Sequence, residues 1–168
     1  MLSIVILLLF PALMAYAASS DLLTMRIANW LVLLIAALYF ALALIAQLPW
    51  SEIGASVAAA AIVLAIAFAF FAFGWIGGGD AKLVSATTLW VGFGLLLQYV
   101  IYAALLGGAL TMLILTFRGR TLPIWAMKHA WIERLHDRKT GVPYGIALAI
   151  AALLIYPQTA IFQHFRGL

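Results

Sequence analysis

Only five of the 168 residues are acidic, and two of them, Asp21 and Asp80, stand at the borders of long apolar runs. Carboxylates in or beside a membrane-length apolar segment are costly to keep and point first to function. Two of them brought together hydrolyse a peptide bond without a metal or cofactor. Like charges a few ångströms apart do not both ionise readily, so the pair shares one proton. The ionised member takes a proton from water as it attacks the carbonyl; the protonated member donates to the carbonyl oxygen and then to the leaving amine. Each aspartate also has a plainer use. Asp80, directly after Gly77-Gly78-Gly79, suits a helix N-cap, and Asp21 suits a solvated helix end. Their placement on one predicted face, in a chain nearly empty of acids, favours the pair. The triple glycine would offer positive φ angles and close approach to an extended peptide, besides simply turning the chain. Lys82 follows Asp80 by two positions, so on a helix their side chains point apart. Lys82 is expected to reach toward lipid headgroups and not to neutralise Asp80.

Other chemistries find less support. Glu52 is a lone carboxylate in a turn on the opposite side, and Glu133 and Asp137 are expected to pair with neighbouring Lys or Arg. There is no cysteine, which excludes disulfides, thiolate metal sites and a cysteine nucleophile. His129 and His136 share a predicted helical face, but no third ligand has metal-site spacing and His164 falls on the far side, so no metal is expected. Ser19, Ser20 and Ser85 have no nearby histidine and no nucleophile-elbow motif. The net charge of +4 comes from basic residues too scattered for a nucleic-acid surface.

The elements that must position the two aspartates are membrane helices. The chain is 68% hydrophobic and 8% charged, with mean hydropathy +1.20. A chain of this length cannot bury so much apolar surface in a water-soluble core. Spans of about 20 residues are expected over residues 1–19, 30–49, 53–76, 81–94, 96–117 and 144–162, with Pro11 kinking the first. Gly92 and Gly94 mark the break between the fourth and fifth, and residues 118–142 form a basic loop. With the N-terminus outside, eight of the nine Lys and Arg residues fall in the cytoplasm and only Arg166 outside, as the positive-inside rule requires. The expected fold is therefore all-α, one polytopic membrane domain of about six helices with its site at the cytoplasmic face. Ala15-Tyr16-Ala17 has the small-residue pattern of a signal-peptidase site, but no basic region precedes the apolar stretch, so the first helix is expected to be retained.

Residues 121–138 pattern as an amphipathic surface helix. Ile124, Trp125, Met127, Trp131, Ile132 and Leu135 fall on one side, and most charges, Lys128 excepted, on the other. Such a helix suits an anionic leaflet.

Three separated stretches resemble the type IV prepilin peptidase family, the GxGD class of membrane aspartyl proteases. Asp21-Leu-Leu-Thr-Met-Arg26-Ile27-Ala28-Asn29 is similar to its first-aspartate segment, which commonly reads Asp…Arg-Ile-Pro-Asn. Gly77-Gly78-Gly79-Asp80-Ala81-Lys82-Leu83 resembles its Gly-x-Gly-Asp-x-Lys-Leu segment, and Val142-Pro143-Tyr144-Gly145 the Pro-Tyr/Phe-Gly motif opening its last helix. The resemblance implies Asp21 and Asp80 as the catalytic pair, with Gly77, Gly79, Pro143 and Gly145 shaping the site and Arg26, Asn29, Lys82 and Tyr144 beside them. Pro143 suits a first helical turn. Ala28 replaces the usual proline, which implies a looser turn after Asp21. No cysteine-rich insertion separates Asn29 from Trp30, so N-methylation of the product is not expected, and the compact form looks most like the peptidases serving Flp-type, tight-adherence pili of bacteria.

By that resemblance the substrate is a prepilin in the bacterial inner membrane, with its apolar helix beside the first and fourth spans and its scissile bond at the cytoplasmic surface. Prepilin leaders are usually basic, so the basic loop 118–142 is read as facing lipid headgroups and not substrate. Two other classes compete. A small transporter or proton relay would place its acids near mid-bilayer, and a non-catalytic secretion-assembly subunit would tolerate loss of either aspartate.

Overall fold

The computed structural model describes residues 2–122 and 128–167. Every regular element among them is helical: α1 (Leu2–Thr24), α2 (Asn29–Ile45), α3 (Trp50–Ala72), α4 (Gly78–Arg118), α5 (Ala130–His136), α6 (Gly145–Ile155) and α7 (Ala160–Arg166). Three helices are long and apolar enough to cross a membrane, or four when the bent pair at the C-terminal end is counted as one, and α2 is a shorter apolar helix. The chain is a membrane protein. Its long helices are apolar around most of their circumference, which water does not tolerate and lipid does. Leu33 is 68% exposed and Leu97 73%. Trp30, Trp50 and Trp75 lie exposed at helix ends, where amphipathic rings favour the headgroup zone.

The break expected near Gly92 and Gly94 falls at Gly92, whose φ of 69° and ψ of 175° leave the helical region. Only a residue without Cβ adopts that φ cheaply. Both limbs of α4, residues 78–91 and 93–118, fold back side by side: Asp80 and Val84 from the first line the same groove as Leu96, Val100 and Ala103 from the second. α4 packs on α3 and α6, α1 packs on α6, and α2 packs on the first limb of α4. Phe10, Trp90 and Tyr156 stack with ring centroids 4.5 and 4.8 Å from Phe10, and the Trp90 indole N–H donates to the Ile35 carbonyl at 3.0 Å.

Several boundaries depart from the sequence expectation. α1 runs through Pro11 and past residue 19 to Thr24, so Asp21 sits on its last turn. α3 begins at Trp50, directly after the N-cap Pro49, which puts Glu52 in its first turn and not in a loop; an acid there meets the unpaired N–H groups of a helix start. The span expected over 144–162 is broken. Pro157 interrupts it in a 3-10 turn (Tyr156–Gln158), the Thr159 hydroxyl caps a new start by accepting from the Phe162 N–H, and α7 leaves at 50° to α6. Of the amphipathic helix expected over 121–138, the described residues contain the seven-residue α5; Ile124, Trp125 and Met127 lie outside the described residues.

What holds the basic loop is Arg118, 8% exposed, whose guanidinium donates to the carbonyls of Leu135 and Gly141 and to the Thr140 hydroxyl. The fork of an arginine suits three acceptors at once. Arg134 donates in turn to the Leu23 carbonyl at the end of α1. Asp137, expected to pair with a basic side chain, instead accepts from the Lys139 backbone N–H at 2.9 Å, a local turn that satisfies the carboxylate without a salt bridge.

Candidate active site

The end of α1 is built to stop abruptly. Met25 adopts φ 54°, and the Ser20 hydroxyl donates to the Arg26 carbonyl at 2.9 Å, fastening the turn. Ile27 then points inward and α2 starts after Ala28. Ala28 has φ −69° and ψ 140°, the conformation a proline would impose. The turn is therefore formed without the ring, and the looseness implied by the missing proline is not seen.

Asp21 lies on this last turn, 5% exposed. Its Oδ2 accepts the Gly145 N–H at 2.7 Å across 124 residues of sequence. Gly145 is the first residue of α6, so that N–H has no partner within its own helix, and a carboxylate at a helix start is favourably placed. Pro143 is buried and stands two residues before the helix, with Tyr144 as the N-cap between them; the proline sets up the helix start without belonging to its first turn. A side chain at Gly145 would force its neighbours to shift: a Cβ there would stand 2.8 Å from Asp21 Oδ2 and 2.9 Å from Ile27 Cδ1.

Asp80 enters from the other side. It is the third residue of α4, and the N-cap is Gly77, so the plain reading of Asp80 as the cap does not hold. None of the three glycines has a positive φ; that conformation occurs at Gly74 and Gly92. Their use is close approach. A Cβ on Gly77 would lie 3.0 Å from Asp80 Oδ2, one on Gly78 would lie 3.2 Å from the Phe71 ring, and one on Gly79 would lie 3.2 Å from Ile27 Cβ. Ile27 thus packs between Gly79 and Gly145 and ties the starts of α4 and α6 to the end of α1.

Both aspartates line one open cleft of about 660 Å³, with Thr24, Arg26, Asn29, Gly77 and Gly79 among its walls. Asp21 and Asp80 thus face one space from separate helices. At the rim Lys82 is exposed and donates to the Asn29 side chain at 3.0 Å, so it bridges α4 to α2 and leaves Asp80 unneutralised. Arg26 is exposed on the same turn. Among the described residues no group of three His, Asp or Glu side chains is placed to hold a metal. His136 packs edge-on against Phe117 and His164 against Phe165. The arrangement offers two carboxyls from separate helices and open space for a peptide and water.

Gly107 is a site residue that sequence reasoning missed. It is buried in the second limb of α4, and a Cβ there would overlap the Tyr144 ring. The vacancy lets Tyr144 lie against the helix and donate its hydroxyl to the Ala103 carbonyl at 3.2 Å. Gly107→Ala is expected to expel the ring and destabilise the fold by about 1–3 kcal/mol. Gly108→Ala, whose Cβ would meet nothing within 4 Å, is expected to have no such effect. Thermal unfolding of both variants in detergent checks the pair.

Residues 8–112, more than half of the chain, match the model of a family described as the type IV leader peptidase family. No curated protein and no solved structure matches the chain. The matched stretch contains Asp21–Asn29 and Gly77–Leu83 and stops before Pro143; the Gly145 N–H connects the unmatched segment to Asp21.

Proposed function

The chain belongs to the type IV leader peptidase family, and from that premise we propose that it is an intramembrane aspartyl endopeptidase that removes the leader of Flp-type prepilins. The observation that carries this reading is the shared cleft: Asp21 from α1 and Asp80 from α4 line the same open space. In the proposed mechanism the pair holds one proton between its two carboxyls. The unprotonated carboxyl activates a water lodged in the cleft, and the protonated one polarises the scissile carbonyl and then delivers its proton to the departing amine. The Gly145 N–H keeps Asp21 from swinging toward solvent. The polar leader lies among Ser20, Thr24 and Asn29, beside the two carboxyls, whose negative charge suits a basic segment.

In the same proposal residues 1–168 are one domain that crosses the bacterial inner membrane six times, each limb of α4 making one crossing and α6 with α7 another. The N-terminus is outside and the cleft faces the cytoplasm. Supporting this orientation, Arg26, Lys82, Arg118 and Arg134 are all tied to the cleft end of the bundle through Asp21's turn, Asn29, the loop and Leu23. Basic side chains concentrate on cytoplasmic surfaces, and the loop around α5 would meet anionic headgroups there.

The test is reconstitution of the purified protein with a Flp-type prepilin in vesicles, followed by mass analysis of the pilin. Loss of the leader as one defined fragment is the expected result. A prepilin that stays intact beside correctly inserted protein would remove the proteolytic reading and bring the transport and assembly readings forward.

A further inference from the structure

Beside the cleft a second concavity of about 420 Å³ opens toward the lipid, between α3 and the two limbs of α4. Its α3 wall is Ile62, Ile66 and Phe70, four residues apart and therefore on one helical face. That stripe spans about 12 Å, a little over two helical turns. Val100 on the opposite wall is 47% exposed, and Ile62, Ile66 and Phe70 are exposed as well, so the groove has two apolar walls and no occupant among the described residues. Its floor includes Ala67 and Ala103, and small residues there let another backbone come close, the main source of attraction between helices in lipid.

Asp80 belongs to both spaces: it lines the polar cleft and closes the apolar groove, with Tyr144 beside it. A peptide bond held at Asp80 with polar residues in the cleft must send its following residues somewhere. An apolar continuation would be repelled by the polar walls, whereas the groove begins at the same carboxyl. An acyl chain would also suit apolar walls, but it has no polar segment to place in the cleft.

Resting on the proteolytic reading above, we infer that this groove seats the apolar helix of the substrate, against α3 and the second limb of α4. This revises the sequence expectation, which put that helix beside the first and fourth spans. The docked helix would bury one stripe of its own, at positions three and four apart, along the Ile62–Phe70 stripe. Val100 and Ile66 are specificity positions that touch substrate without taking part in the chemistry.

Photo-crosslinking residues at Ile66, Val100, Tyr16 on α1 and Leu33 on α2 test this in vesicles with a prepilin, alongside cleavage by the unsubstituted protein. Adducts with the apolar segment of prepilin are expected from Ile66 and Val100 and not from Tyr16 or Leu33. Val100→Trp, at an exposed position that tolerates the ring, is expected to raise KM about tenfold with kcat little changed, as losing one packed apolar contact would. Adducts from Tyr16 in vesicles where cleavage proceeds would overturn the groove and leave the proteolytic reading standing, as would adducts with lipid alone at Val100. Absence of cleavage by the unsubstituted protein overturns both.

Discussion

Asp21→Asn and Asp80→Asn are each expected to lower leader cleavage by at least about 10³-fold, the scale of losing an acid–base group that acts on the reacting atoms. Asparagine is the informative replacement. Its side-chain oxygen still accepts the Gly145 N–H that Asp21 holds at 2.7 Å, so the α1–α6 contact survives while the proton chemistry is lost. Asp21→Ala would also strand that N–H in a buried place, at a cost of about 1–3 kcal/mol, and so would mix a folding defect with a catalytic one. Because the two carboxyls work as one unit, the double variant should be no slower than either single one. Cleavage time courses on membranes with matched protein levels decide the matter. Normal rates in either asparagine variant would remove the dyad.

Gly145→Ala is expected to lower cleavage by about 10–100-fold, the cost of misplacing a catalytic group by roughly an ångström. The added methyl would stand 2.8 Å from Asp21 Oδ2 and 2.9 Å from Ile27 Cδ1. Ile27 can turn its terminal methyl aside, but the carboxyl is fastened to the backbone N–H of the same residue and has to move. Alanine meanwhile favours the helix by about 1 kcal/mol over glycine, which offsets part of the crowding. The result should be an enzyme that melts near the normal temperature and works poorly, with kcat reduced more than KM is raised. Gly54→Ala, where a Cβ would meet nothing within 4 Å, serves as the matched control and should keep full activity. A Gly145→Ala protein with normal kcat would show that the carboxyl needs no such constraint.

How much of this was legible beforehand depended on whether a residue's type or its partner carried the information. Asp21 and Asp80 stood out by type, because acids are scarce and expensive in an apolar chain. Gly92 stood out for the same reason, since an apolar run too long for one crossing needs a break and glycine supplies one. Partners were harder. Periodicity assigns a residue to a face but does not say what faces it, so the fit of Tyr144 against Gly107 was invisible, and Gly107-Gly108 read as ordinary span. Arg118 was counted as one positive charge among several, although it is a buried clasp on three acceptors. The triple glycine was expected to offer positive φ and close approach to a peptide; none of the three has positive φ, and what approaches closely is the chain's own Asp80, Phe71 and Ile27. Both are reasons for lacking a side chain, and sequence alone does not separate them. Helix ends shifted where local capping decided them, at Pro49 and at Thr159.

The bond between Asp21 and Gly145 also bears on when the proposed centre can form during synthesis. Asp21 is made before its partner, which follows 124 residues later, so the contact is strongly non-local. A contact of that separation is closed only after the intervening segments are in place. During synthesis α1 to α4 would already be made, Asp80 included, with the Asp21 carboxyl still untethered. On the proposed reading, α6 brings the N–H that completes the cleft, so a polypeptide interrupted before α6 would carry both aspartates without a finished site.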